Sequence, residues 1–88
     1  MVEKDAVVAG VCGAIKEHIS SIDTNTIQAG DDLTLLGMDS LTFIRIVISL
    51  EEVFEIEIPE EYLLVSAMDT IEKMANAVCK ELLNDREE

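Results

Sequence analysis

Apolar residues recur at helical spacing in three stretches of this chain, and the polar segments between them set its organisation. From about Lys4 to Ile19 the positions Val8, Val11, Ile15 and Ile19, with Val7 and Ala14 beside them, predict a first amphipathic helix. Lys16 and His18 fall where cations suit the negative helix pole. Ser40 to Phe54 carries the clearest pattern: Phe43, Ile46, Val47, Leu50, Val53 and Phe54 form one core stripe. Leu41, Ile44 and Ile48 make a second apolar face, which a small domain cannot readily bury as well. That face is expected to be exposed for partners. The last stripe, Ile71, Met74, Ala75, Val78 and Leu82, predicts a final helix. Asp69, with Glu72 three residues on, resembles a capping box for it.

The connecting segments read differently. Ser20 to Met38 lacks sustained periodicity and is rich in Ser, Thr, Asn, Asp and Gly, so a long loop is expected. Leu33, Leu35 and Leu36 should pin it to the core, and Asp31 to Leu36 could form one helical turn. Glu55 to Ile58 alternates too briefly for a strand before Pro59 and reads as an extended connector. Pro59 suits the start of a short helix through about Leu64. Val65 to Met68 reads as a turn, and Asn84 to Glu88 as a frayed acidic tail. There is no internal repeat and no second domain. Residues 1–88 form one domain, with an ordered core of about 4–84.

Composition narrows the class. Leu, Ile, Val, Met and Ala dominate the apolar set, with one proline and three aromatics, which favours an all-α fold. A chain of 88 residues buries only roughly 65% of the surface it exposes unfolded, enough for one modest core and no deep cleft. The net charge of -13 makes nucleic acid and anionic membrane poor partners. A basic protein surface is the natural complement. No apolar run approaches the ~18 residues of a membrane span. No cationic, apolar leader opens the chain, so secretion is not expected. Cys12 and Cys79 are expected to be reduced, as small hydrophobes in helices, which points to a cytoplasmic location. A monomer is expected.

The candidate chemistry lies at Gly37-Met38-Asp39-Ser40-Leu41. A serine before a helix usually caps it. Here Asp39 can cap instead, leaving the Ser40 hydroxyl outward and open to modification. A phosphodiester on that hydroxyl would face free amides and the positive helix pole, and Gly37 permits a tight approach from the loop. Catalysis is not expected. A serine hydrolase needs an oriented base, and the only histidine is His18, without a G-x-S-x-G elbow. A calcium loop beginning at Asp23 and Asn25 fails at Gln28 and Thr34. Two isolated cysteines and His18 do not make a zinc site.

Leu36-Gly37-Met38-Asp39-Ser40-Leu41, with Leu50-Glu51-Glu52-Val53-Phe54 and Ile56-Glu57-Ile58-Pro59, resembles the acyl carrier proteins. The resemblance covers nearly the whole chain. It implies a four-helix bundle with a long first loop and a short third helix. It implies 4'-phosphopantetheine on Ser40, transferred from coenzyme A by a phosphopantetheinyl transferase, with Asp39 and Gly37 in support. The chain would carry acyl or aminoacyl thioesters to loading and condensing enzymes with basic docking surfaces. It would not itself be an enzyme. Leu41, Ile44 and Ile48 match the partner-facing apolar positions, with Glu51 and Glu52 as flanking acids. Members serving general fatty acid synthesis typically have acids near Thr42 and Arg45; here one site is neutral and one basic. That favours a specialised carrier for a polyketide, nonribosomal peptide or modified acyl pathway at least as much as housekeeping fatty acid synthesis. The contrasting expectation is an unmodified acidic adaptor that binds partner proteins only.

Overall fold

The computed structural model describes residues 3–19, 22–23 and 26–86, the last three as backbone alone. Three α-helices follow in order: α1 over Lys4–His18, α2 over Ser40–Phe54 and α3 over Ile71–Arg86. There is no strand among the described residues. α1 lies against both other helices, and α2 touches α3 less. The core between them is made by Val11 and Ile15 of α1, Phe43, Ile46 and Leu50 of α2, and Met74 and Val78 of α3, closed by Leu33 and Met68 from the connections.

The helix boundaries follow from their caps. α2 begins at the expected residue because the Asp39 side chain accepts the Thr42 amide. It ends because Glu55 turns left-handed at φ 53°, its amide donating to the Glu51 carbonyl. α3 begins one residue later than a cap at Asp69 would allow. Thr70 is the cap instead, its Oγ1 accepting the Lys73 amide at 3.0 Å. Asp69 is otherwise engaged: its carbonyl accepts the Leu33 amide and its carboxylate pairs with Lys73 at 3.0 Å. α3 also continues through Arg86, so residues 84–86 are helical and not the expected tail. Glu87, Glu88 and Asn25 of the rejected calcium loop lie outside the described residues.

The expected fourth, short helix is absent among the described residues. In its place are two 3-10 turns, Glu60–Tyr62 and Val65–Ala67, separated by Leu63 and an extended Leu64. Neither turn buries a side chain fully. Tyr62, Val65 and Ala67 still pack against the core, but the extended Leu64 breaks the stretch into two short pieces. Ile56 and Ile58 bury inward from an extended connector, as its alternation predicts.

The first loop is pinned, though not by all three leucines. Leu33–Leu36 is a 3-10 turn, in which residues three apart share a face. Leu33 is therefore buried and Leu36 half-buried, while Leu35 points out at 82% exposure. Two main-chain bonds tie the loop to the start of α3: Leu33 donates to Asp69 at 2.8 Å and Glu72 donates to Ala29 at 3.0 Å.

Candidate functional site

Ser40 is the first residue of α2 and is exposed. Its position is set from both sides. Upstream, Gly37 takes φ 112°, a left-handed conformation that ends the Leu33–Leu36 turn. A Cβ there would sit 3.6 Å from Ile19, so backbone conformation and not crowding calls for glycine. Met38 is buried and donates its amide to Leu33 at 3.0 Å, anchoring the approach to the helix. Asp39 then caps α2 through its side chain at 2.8 Å, and its carbonyl accepts the Phe43 amide.

This division of labour leaves Ser40 unencumbered. No hydrogen bond engages its Oγ among the described residues. The Ser40 and Leu41 amides stay at the open end of the helix, where first-turn donors lack intrahelical partners. A phosphodiester on this hydroxyl would face those donors and the positive pole. Bonds from Thr42, the backbone amide foremost, hold the Asp39 carboxyl below its ordinary value, and Arg45 contributes least. Asp39 is thus anionic at neutral pH and remains an acceptor. The geometry fits a covalent phosphate ester on Ser40.

Beyond Ser40, α2 presents the second apolar face outward. Leu41, Ile44 and Ile48 are 61%, 46% and 48% exposed, so the helix is not packed all round. Arg45 lies among them and is exposed, as is Glu52. Thr42 is half-buried, and its amide belongs to the cap. Glu51 fixes the connector, because its Oε2 accepts the Ile58 amide at 2.9 Å. Val53, expected on the core stripe, is instead 62% exposed. It sits at the edge of the stripe on the final turn, while Phe54 beside it packs against the core.

A cleft of about 960 Å3 opens away from Ser40, at the far end of α2. Glu51, Glu55, Glu57, Glu60 and Glu81 line it, with Ile58 and Leu63 among its apolar walls. Eleven residues of helix separate Ser40 from Glu51, about 17 Å of rise. So acidic a wall does not suit an acyl chain. A polar link that the residue pattern does not reveal joins two helices. His18 Nε2 lies 2.8 Å from Ser49 Oγ, a half-buried link that joins the last residue of α1 to α2. Periodicity carries no signal for such a pair. Cys12 and Cys79 are free and half-buried against the core, and burial pushes the Cys12 thiol up. Among the described residues no cluster suits a metal, and no helix is long and apolar enough to cross a membrane.

A family profile described as "Phosphopantetheine attachment site" matches residues 7–78. Two curated relatives are "Acyl carrier protein 2, chloroplastic" of Arabidopsis thaliana and "Acyl carrier protein 1, chloroplastic" of Cuphea lanceolata. The first is 35% identical over 83 residues, covering 94% of this chain and 59% of the relative. The second is 36% identical over 77 residues, covering 88% of this chain and 54% of the relative. The chain thus spans little more than half the length of these relatives. No solved structure matches it significantly.

Proposed function

The chain belongs to the acyl carrier protein family, whose covalent cofactor is 4'-phosphopantetheine, and on that premise we propose that Ser40 carries the arm. The observation that carries this reading is the free, exposed Ser40 hydroxyl on a helix capped by Asp39. When attached, the arm supplies a thiol that holds cargo as a thioester, the cofactor bringing the chemistry and the protein presenting it. This chain's own residues hold and orient the attachment point. Gly37 turns the loop, Asp39 caps the helix, and the first-turn amides stabilise the phosphate charge. The protein is a carrier and not a catalyst.

The partners in this reading are a phosphopantetheinyl transferase and enzymes that load and condense acyl or aminoacyl groups. They approach over Leu41, Ile44 and Ile48, beside Thr42, Arg45, Glu51 and Glu52. For pathway, the relatives named as acyl carrier proteins support acyl cargo. Neutral Thr42 and basic Arg45 support a specialised acyl or polyketide system over housekeeping fatty acid synthesis. We propose a reducing compartment and not specifically the cytoplasm, since the two thiols are free and the relatives are named for the chloroplast.

The experiment is intact-protein mass after incubation with coenzyme A and a broad-specificity transferase. The expected result is a gain of one pantetheinyl phosphate by the native chain and none by Ser40→Ala, which stays folded because Asp39 still caps α2. A gain in Ser40→Ala, or none in the native protein, overturns the assignment.

A further inference from the structure

Arg45 is the only Lys or Arg between Lys16 and Lys73, in a chain of net charge -13. Its electrostatic neighbour is the Asp39 carboxylate, on which its effect is the smallest of the causes at work. Its neighbours one turn away are Leu41, Thr42, Ile48 and Ser49, so no acid stands at helical pairing distance. Among the described residues no ion pair or hydrogen bond engages its guanidinium. A cation in the first half of a helix gains nothing from the helix dipole.

Its surroundings make this lone charge consequential. Leu41 and Ile48 flank it and are 61% and 48% exposed. A protein that buries this apolar strip takes water from the guanidinium as well, and a desolvated charge without a partner is costly. Further along α2 the sign reverses. Glu52 is exposed about 10 Å beyond Arg45, at 1.5 Å per residue, and the cleft lined by Glu55, Glu57 and Glu60 follows it. From the Ser40 end outward the face therefore reads apolar at Leu41 and Ile44, positive at Arg45, apolar at Ile48 and negative at Glu52.

Resting on the reading of α2 as the docking helix, we propose that Arg45 selects the partner. The protein that fits this face carries a carboxylate opposite Arg45 and an apolar groove for Leu41, Ile44 and Ile48. Its basic side chains lie about 10 Å further on, against Glu52 and the acid-lined cleft. A uniformly basic groove meets like charge at Arg45 and is rejected.

The probe is one condensing enzyme of fatty acid synthesis with a basic docking groove, used natively and with each groove Lys or Arg changed in turn to Glu. Its affinity is measured at low salt, where charge effects are least screened, for native chain, Arg45→Ala and Arg45→Glu. Arg45→Glu is expected to bind the native groove about tenfold more tightly than the native chain, with Arg45→Ala between them. One groove reversal should improve the native chain by a similar factor and weaken Arg45→Glu. If reversing Arg45 brings no gain on the native groove, or if no groove position couples to it, the proposal is overturned. Intact mass of the same variants after transferase treatment keeps the two readings apart. Full loading on Ser40 with unchanged affinities sinks the role of Arg45 alone, whereas failure to load sinks the carrier assignment.

Discussion

Asp39 Oδ1 accepts the Thr42 amide at 2.8 Å, and this bond frees the neighbouring serine from capping. Asp39→Asn keeps a capping side chain but cannot titrate. The native carboxyl lies below its ordinary value, chiefly through the Thr42 amide. A group depressed in the folded state stabilises above its unfolded value, and that stabilisation is lost as pH falls through the folded value. The thermal midpoint of the native chain relative to Asp39→Asn should therefore fall as pH drops below about 3.9. A difference that stays flat with pH would show that Asp39 ionisation does not support the cap.

Ile44 and Ile46 are two positions apart, yet one is 46% exposed and the other fully buried. Ile46→Ala should cost roughly 2–5 kcal/mol in denaturant unfolding, as a core truncation does. Ile44→Ala should change stability by less than about 0.5 kcal/mol and instead weaken binding to a condensing enzyme. Similar stability losses in both variants would place Ile44 in the core and remove it from the proposed docking face.

Gly10 and Gly13 both sit within α1 but face different surroundings. A Cβ on Gly10 would lie 2.5 Å from Cζ of Phe54, whereas one on Gly13 meets nothing within 4 Å. Gly13→Ala should stabilise by about 1 kcal/mol through helix propensity alone. Gly10→Ala gains the same propensity but must displace a packed ring, at roughly 1–3 kcal/mol, so it should be neutral to destabilising. Chemical denaturation of the two variants decides it, and equal gains would mean that the Phe54 ring yields freely.

Thr70 carries the α3 cap that pattern assigns to Asp69. Thr70→Ala should lower stability by about 0.5–2 kcal/mol. Asp69→Ala should cost less, since it removes one half-exposed ion pair with Lys73 and leaves the carbonyl bond to Leu33 intact. The reverse order in thermal melts would restore the capping role to Asp69.

Nineteen acids against six bases leave the native state repelling itself. Added salt or magnesium should raise the thermal midpoint. A midpoint indifferent to both would mean that the acids are already spaced beyond effective interaction.

The three helices were legible because burial imposes period 3.6 on them, and α2 matches its expected span at both ends. What periodicity could not show depends on contacts remote in sequence. Leu35 faces solvent because a 3-10 turn repeats every three residues. Thr70 takes the cap because Leu33 and Lys73 already occupy Asp69. In place of a continuous fourth helix, residues 60–67 form two 3-10 turns that pack Tyr62, Val65 and Ala67 against the core from separate short pieces. At the candidate site the local logic of Gly37, Asp39 and Ser40 could be read directly, since turn, cap and hydroxyl are neighbours. The structural use of Glu51 could not, because its acceptor role is fixed by the amide of Ile58, seven residues on.

The two bonds that fasten the first loop to α3 run between main-chain atoms, from Leu33 to Asp69 and from Glu72 to Ala29. Main-chain groups are present whatever side chain a position bears. Mutation can therefore rewrite the outer surface of the loop over many generations without shifting the turn that delivers Ser40. Proline is the exception, because it lacks the amide that residues 33 and 72 must donate. The proposed attachment point is in this sense buffered against sequence drift, while the exposed face of the neighbouring helix stays free to diverge.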